Sequence, residues 1–194
     1  EKSNSVYMLA ENYPQMLFNR EMHLAARGGT LGKLLYAEGE YNHPVDPADQ
    51  NFAIRYRYFE EHWRNYLPRT YYLTHSLGPI MWATGATPKR VTAFATFAPV
   101  GSDVPTTSCV GDRAAIIMTQ NDDGSVFRVT GCAGFGGHHN AYRICGTKGQ
   151  IENLRGFDNR VMLRYNQWDT PEGEEREQMY KPSWHDKDEE IIKK

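Results

Sequence analysis

The chain has 194 residues and a formal net charge of −2, with 40% hydrophobic, 24% charged and 12% aromatic residues. This balance is typical of one globular domain, and the small net charge gives no support to a protein that coats nucleic acid or a membrane surface. The sequence contains no apolar run of the ~18 residues that a transmembrane helix needs. We therefore expect neither a nucleic-acid partner nor a membrane partner.

Three cysteines, Cys109, Cys132 and Cys145, form no CxxC pattern. An odd number with this spacing predicts neither a disulfide framework nor a zinc finger. Structural thiols in a reducing compartment are the simpler interpretation. We therefore expect a cytoplasmic protein without a bound metal.

The first 43 residues predict a strand, a helix and a second strand. The apolar run 6–10 is typical of a strand, and Pro14 suits the first position of a helix that Gly28 ends. Residues 34–43 alternate between two faces, with Tyr41 among the residues of one face.

The middle of the chain predicts an excursion and a second helix. Residues 48–70 are rich in aromatic and charged side chains, with a short helix around residues 58–63. The second helix runs from Ser76 to Thr84 and ends at Gly85. Pro79 then has to lie in its first turn, where a missing N–H costs least.

From Pro88 onward the hydrophobic pattern has a period of two, which is typical of strands. The predicted strands cover residues 90–98, 112–120, 125–134, 142–146, 150–155 and 160–166. Tight-turn sequences at 121–124 and 147–149 favour antiparallel pairing. The fold class is therefore α+β: an open, predominantly antiparallel β-sheet with helices packed on one face.

Two further segments complete this prediction. The strand 112–120 has a broad apolar centre, so we expect the sheet face opposite the helices to be apolar and to support self-association. Residues 169–194 are rich in charged side chains and are either disordered or the start of a helix.

Four side chains suit proton transfer. Tyr41 and His43 leave the same face of a strand, although a rim tyrosine beside a solvated histidine would give the same pattern. His75 lies at a helix start, where free N–H groups keep an imidazole neutral, although it equally suits a simple helix end. Glu11 follows a strand directly and is either a site carboxylate or a helix cap.

Other candidate side chains are weaker. Arg64 suits either a sugar or carboxylate contact or a solvated helix surface. His138 and His139 are adjacent, so in an extended chain they point to opposite faces and form a poor chelate. The segment Gly-Phe-Gly at 134–136 lacks a following helix pattern, so it does not predict a dinucleotide site.

Four segments, in their order and spacing, resemble one family of oxidoreductases. They are Val-Tyr-Met-Leu-Ala-Glu-Asn-Tyr at 6–13, Gly-Lys-Leu-Leu-Tyr-Ala-Glu-Gly-Glu-Tyr at 32–41, Thr-His-Ser-Leu-Gly-Pro at 74–79 and Gly-Thr-Lys-Gly-Gln-Ile-Glu at 146–152. Together they resemble the second half of the glucose–fructose oxidoreductase / inositol dehydrogenase (Gfo/Idh/MocA) family. The segments at 11–13 and 74–79 are most similar to its NAD-dependent glycosidase-like branch.

This resemblance implies a division of labour between domains. In the family, an N-terminal Rossmann domain holds NAD(P), and a C-terminal open sheet shapes the sugar site and forms homo-oligomer contacts. The resemblance makes residues 1–13 the last strand of a Rossmann domain, 14–168 the substrate-binding and oligomerisation domain, and 169–194 a charged tail or a truncated helix. The sequence lacks the glycine-rich fingerprint, so we expect this chain alone to bind no cofactor.

The resemblance also implies roles for individual residues. His75 corresponds to a histidine that moves protons at the sugar, Tyr41 to a site hydroxyl and Glu11 to a site carboxylate. The further expected sugar contacts are Tyr13, His43 and Arg64. The implied chemistry is oxidation of a sugar hydroxyl with NAD(P), or glycosidase-type oxidation and elimination. The alternative is a non-catalytic module whose sheet builds a dimer.

Overall fold

The computed structural model describes residues 4–8, 11–44, 67–97, 112–134, 136–154 and 159–183. Within these ranges, one eight-stranded sheet packs against two helices. The helices are α1 (Leu17–Arg27) and α2 (Thr74–Thr84), and 3-10 turns at Tyr13–Gln15 and Arg69–Tyr72 precede them. The strands are β1 (Leu34–Asn42), β2 (Pro88–Phe97), β3 (Asp112–Asn121), β4 (Val126–Ala133), β5 (His139–Gly146), β6 (Gly149–Asn153), β7 (Val161–Tyr165) and β8 (Glu177–Tyr180).

The sheet is open and predominantly antiparallel. Its order is β2-β3-β4-β1-β5-β6-β7-β8, and the pairing of β1 with β4 is parallel. The β3–β4 hairpin closes through a backbone bond from Asn121 N–H to the Ser125 carbonyl, with Gly124 at φ 87°. The predicted α+β class, with helices on one face, is confirmed.

The core lies between the helices and one face of the sheet. Period-two burial in β1 places Ala37 and Tyr41 on the helix side, while α1 and α2 contribute Met22 and Ile80. Buried neighbours on the other strands are Phe127, Val129, Tyr142, Ile144, Ile151 and Val161. Burial of these side chains from water provides the main driving force for holding the two layers together.

One glycine allows α2 to approach the sheet. A Cβ atom on Gly39, in the middle of β1, would lie 1.9 Å from the Ser76 carbonyl oxygen. Only a residue without a side chain fits there. The first turn of α2, which carries His75, therefore lies directly on β1.

Both helices begin elsewhere than predicted. Pro14 lies in a 3-10 turn, and α1 begins at Leu17 because Met16 is extended (φ −64°, ψ 138°). Pro79 lies inside α2, since that helix begins at Thr74. The prediction that Pro79 occupies the first turn is therefore wrong.

Residues 4–8 form neither helix nor strand, and Val6 is 94% exposed. The assignment of residues 1–13 to the last strand of a Rossmann domain stays a prediction. The C-terminal end of the described chain differs from what the sequence predicts. The tail predicted at 169–194 contains β8, which pairs with β7 and thereby satisfies the backbone groups of that strand. The predicted tail or helix is wrong for residues 177–180. The short helix predicted at 58–63 lies outside the described residues.

The sheet face opposite the helices, here called the outer face, is charged at its centre. The Glu38 carboxylate accepts a hydrogen bond from the Tyr36 hydroxyl at 2.6 Å and lies 3.3 Å from Arg128 and 3.0 Å from Arg143. Burial alone would raise the pKa of Glu38, but the hydrogen bond from Tyr36 and the two arginines lower it below its usual value. The expectation of a mainly apolar face is thus wrong at the centre, because β1, β4 and β5 place charged residues there.

Apolar side chains lie at one end of the outer face. Phe94 and Ile116 are cross-strand neighbours on β2 and β3, and Phe94 is 79% exposed. Met118, two residues farther along β3, is 46% exposed. Neither α1 nor α2 is long and apolar enough to cross a membrane.

Candidate functional site

The candidate site lies where the end of β1 meets the start of α2. β1 delivers Tyr41, the first turn of α2 delivers His75, and the segment before α1 delivers Glu11 and Tyr13. His75 Nδ1 is 3.2 Å from Glu11 Oε1. The structure therefore brings the three predicted catalytic residues and Tyr13 into one cluster.

Three tyrosines surround the His75 imidazole. The ring centroids of Tyr13, Tyr72 and Tyr41 lie 4.0, 4.3 and 4.9 Å from that of His75. Tyr13 and Tyr41 also contact each other edge to face at 5.3 Å. The His75 side chain is 11% exposed, so most of the imidazole is shielded from solvent.

The environment favours the neutral form of His75. Burial lowers its pKa below the ordinary value of 6.5, and the Glu11 carboxylate partly offsets this by charge and hydrogen bonding. A neutral imidazole that donates from Nδ1 to Glu11 keeps Nε2 as a proton acceptor. The pair can therefore accept a proton at neutral pH and stabilise the resulting imidazolium.

The Glu11 carboxylate makes two contacts. Its Oε1 accepts a hydrogen bond from the Tyr13 N–H at 3.3 Å, at the start of the first 3-10 turn. The same oxygen faces His75. A single carboxylate therefore supports the turn and holds the imidazole.

His43 lies at the rim of the cluster. Its ring stacks on Tyr41 at 5.6 Å with an interplanar angle of 8°. His43 Nδ1 is 3.2 Å from His138 Nε2, whereas His139 lies 3.0 Å from Glu40. The described ranges contain no group of three His, Cys, Asp or Glu side chains that could hold a metal ion. Arg64 lies outside the described residues.

Sequence reasoning missed two tyrosines of this region. Tyr72 precedes His75 by three residues, and this helical spacing was an available signal. Tyr142 lies on β5 opposite Gly39, and its hydroxyl donates a hydrogen bond to the His75 carbonyl. Its role depends on the pairing of β1 with β5, so no local pattern indicates it.

Dinucleotide phosphates usually bind where a glycine-rich turn leads into a helix. Met16 precedes α1 and Leu73 precedes α2, so neither helix follows a glycine-rich turn. The glycine-rich segment at 134–137 leads into β5. NAD(P) is therefore not assigned to these residues.

No protein-family model and no curated protein matches the chain. Solved structures do match it: a levoglucosan dehydrogenase in complex with NADH and levoglucosan has a TM-score of 0.67 at 18% identity, covering 93% of this chain and 48% of that one. An inositol dehydrogenase homolog from Azotobacter vinelandii, complexed with NAD+, has a TM-score of 0.64 at 17% identity and 88% and 42% coverage.

An aldose-aldose oxidoreductase from Caulobacter crescentus, complexed with glycerol, has a TM-score of 0.63 at 14% identity, with 92% and 48% coverage. The chain thus spans less than half the length of each of these three proteins. At this level of identity the comparison shows the fold. The chain therefore shares the α+β fold of the matching part of these oxidoreductases: an open, predominantly antiparallel sheet with two helices.

Proposed function

We propose that this chain is the substrate-binding and oligomerisation domain of an NAD(P)-dependent sugar oxidoreductase-like enzyme. The observation that carries the proposal is the His75–Glu11 pair, 3.2 Å apart and enclosed by tyrosines. The structures of similar fold include complexes of dehydrogenases with NAD+ or NADH, one of them with levoglucosan. A sugar hydroxyl is the substrate group that a neutral imidazole can deprotonate in such a reaction.

The residues act in this proposal as follows. A sugar ring contacts the tyrosine rings, and one of its hydroxyl groups donates a hydrogen bond to His75 Nε2. The hydride of that carbon would leave to NAD(P)+, while the hydroxyl proton moves to Nε2 and the Glu11 carboxylate stabilises the imidazolium. Tyr41 and His43 at the rim bind neighbouring hydroxyls.

The cofactor belongs to another part of the proposed enzyme. In this proposal a Rossmann domain outside these residues holds NAD(P) and completes the site. This chain binds the sugar and moves the proton. The proposed location is the cytoplasm, where the unpaired Cys145 thiol stays reduced.

The finer question is what happens after oxidation. In the glycosidase-like outcome, the ketone formed by oxidation acidifies a neighbouring C–H, and elimination expels the leaving group. Water then adds to the double bond, and the hydride would return from the reduced cofactor. The test is to incubate the full-length protein with NAD+ or NADP+ and a panel of polyols, aldoses and aryl glycosides. Accumulation of reduced cofactor supports the dehydrogenase outcome, and release of the aryl group without net reduction supports the glycosidase outcome.

The second candidate function is a non-catalytic dimerisation module. The observation that favours it is the outer face, which α1 and α2 leave open and on which Phe94 and Met118 are exposed. A protein that shows neither reduced cofactor nor aglycone release on the whole panel, but forms a stable dimer, would support this candidate and contradict the enzymatic proposal.

A further inference from the structure

The first turn of α2 contains a carbonyl group that lacks its regular helical donor. In a regular helix the N–H of residue 79 would donate to the carbonyl of residue 75. Residue 79 is Pro79, which has no N–H, and its ring crowds the carbonyl four residues earlier. The place of the regular donor at the His75 carbonyl is therefore open to a side chain.

Tyr142 provides that donor from the sheet. Its hydroxyl donates to the His75 carbonyl oxygen at 2.5 Å. The side chain is 2% exposed, and its ring stacks on Phe18 of α1 at 5.9 Å. Burial raises the pKa of Tyr142 well above its usual value, so the hydroxyl keeps its proton near neutral pH.

The pairing of β1 with β5 places Tyr142 next to the start of α2. Tyr142 is the cross-strand neighbour of Gly39, and Gly39 is the residue that lets the Ser76 carbonyl reach the sheet. Two successive carbonyls of α2 thus contact two adjacent strands. The His75 carbonyl is bonded to Tyr142 of the sheet, while the His75 ring contacts Glu11.

We propose that Tyr142 is a positioning residue for His75: its hydroxyl replaces the N–H that Pro79 lacks and holds the first turn of α2 in register with Glu11. The effect on turnover rests on the proposed function, whereas the effect on the His75 side chain does not. Among the described residues, the titratable groups next to the His75 ring are Glu11, Tyr13, Tyr41 and Tyr72, and Tyr142 lies at the His75 carbonyl.

The test is a double-mutant cycle in the full-length protein. The variants are Tyr142→Phe, Pro79→Ala, and the two combined. Pro79→Ala restores a backbone N–H four residues after His75, so the helix itself can then satisfy the carbonyl. Tyr180→Phe is the matched control, because that hydroxyl donates to Glu21 at 2.7 Å, outside the cluster. The readouts are the His75 pKa, measured by NMR titration, and kcat.

The positioning role predicts a specific pattern. In Tyr142→Phe the loosened turn admits water, so the pKa of His75 rises towards its ordinary value and kcat falls by about 10- to 10²-fold, as expected for a displaced reacting group. The combined variant regains the original pKa and most of kcat. Pro79→Ala alone and Tyr180→Phe leave the His75 pKa unchanged.

Other patterns overturn the inference. The positioning role would be contradicted if the His75 pKa were unchanged in Tyr142→Phe. It would also be contradicted if the pKa changed and Pro79→Ala did not restore it. In either case Tyr142 would contribute only packing. If Tyr142→Phe is too unstable to titrate, the melting temperature is measured instead of the His75 pKa. Pro79→Ala should then raise the melting temperature more in the Tyr142→Phe variant than in the original protein. An equal effect of Pro79→Ala in both proteins would contradict the inference. A protein without turnover on any sugar contradicts the proposed function, while the pKa pattern still decides the positioning role.

Discussion

At the scale of single residues, two opposing influences act on the His75 imidazole. Burial lowers its pKa below 6.5, and Glu11 raises it. Because the folded protein binds a proton at His75 less readily than the unfolded chain, this group's contribution to stability is fully present above about pH 6.5. That contribution is lost as the pH falls from there through the folded-state pKa. Glu11 makes this loss smaller.

Substitution of Glu11 tests this balance. In Glu11→Gln the carboxylate that raises the pKa of His75 is gone, so the acidic limb of the kcat/KM profile should move to lower pH. The measurement is the pH profile of turnover, together with an NMR titration of His75. Glu21→Gln is the control, because Glu21 contacts Tyr180 away from the site. An acidic limb that stays in place or moves to higher pH would contradict the assigned role of Glu11.

At the scale of elements, the site depends on the close approach of α2 to β1. In Gly39→Ala the new methyl group meets the Ser76 carbonyl, so we expect a loss of stability of about 1–3 kcal/mol, the usual cost of overpacking. Gly78→Ala, within α2, is the matched counterpart. A Cβ there meets Glu11 Cγ at an ordinary 3.9 Å, so the gain in helix propensity should stabilise the protein by about 0.5–1 kcal/mol. Urea unfolding measures both effects, and equal changes would contradict the packing described here.

Local patterns predicted most elements of the fold. Period-two alternation and the turn sequence Asn-Asp-Asp-Gly at 121–124 correspond to β3, β4 and their hairpin. Local pattern does not specify that β1 lies between β4 and β5, because that placement depends on pairings across about a hundred residues of chain. β8 was missed because it is only four residues long and directly follows the charged run 174–176, which hides the short alternation.

The site was partly predictable for the same reason. Tyr41 and His43 were predicted to leave the same face of one strand; β1 ends at Asn42, but the two rings do lie stacked on each other. Their proximity to His75 was expected from the resemblance, since spacing alone left other interpretations open. Tyr142 was not predictable, because its contact with the His75 carbonyl requires both the β1–β5 pairing and the missing N–H of Pro79.

At the scale of the whole molecule, the outer face is the surface proposed for self-association. Its apolar end carries Phe94 and Met118, next to the charged centre at Glu38 and Arg128. A lysine at position 118 places an uncompensated charge in such an interface, so Met118→Lys should shift a dimer towards monomer. Leu35→Lys is the control, because Leu35 is 56% exposed on the opposite side of the sheet. Light scattering coupled to size exclusion measures the mass, and equal masses for both variants would exclude this surface.

In the proposed function, His75 is the residue that moves the substrate proton. The most direct test compares His75→Ala with His23→Ala in the full-length protein, measuring kcat and the melting temperature on the same preparations. His23 is a suitable control because it stacks on Trp82 at 4.2 Å, outside the cluster. We predict that His75→Ala lowers kcat by about 10²–10⁴-fold, as loss of a general base does, while its melting temperature changes no more than that of His23→Ala. A lowered melting temperature with unchanged turnover per folded molecule would contradict the claim.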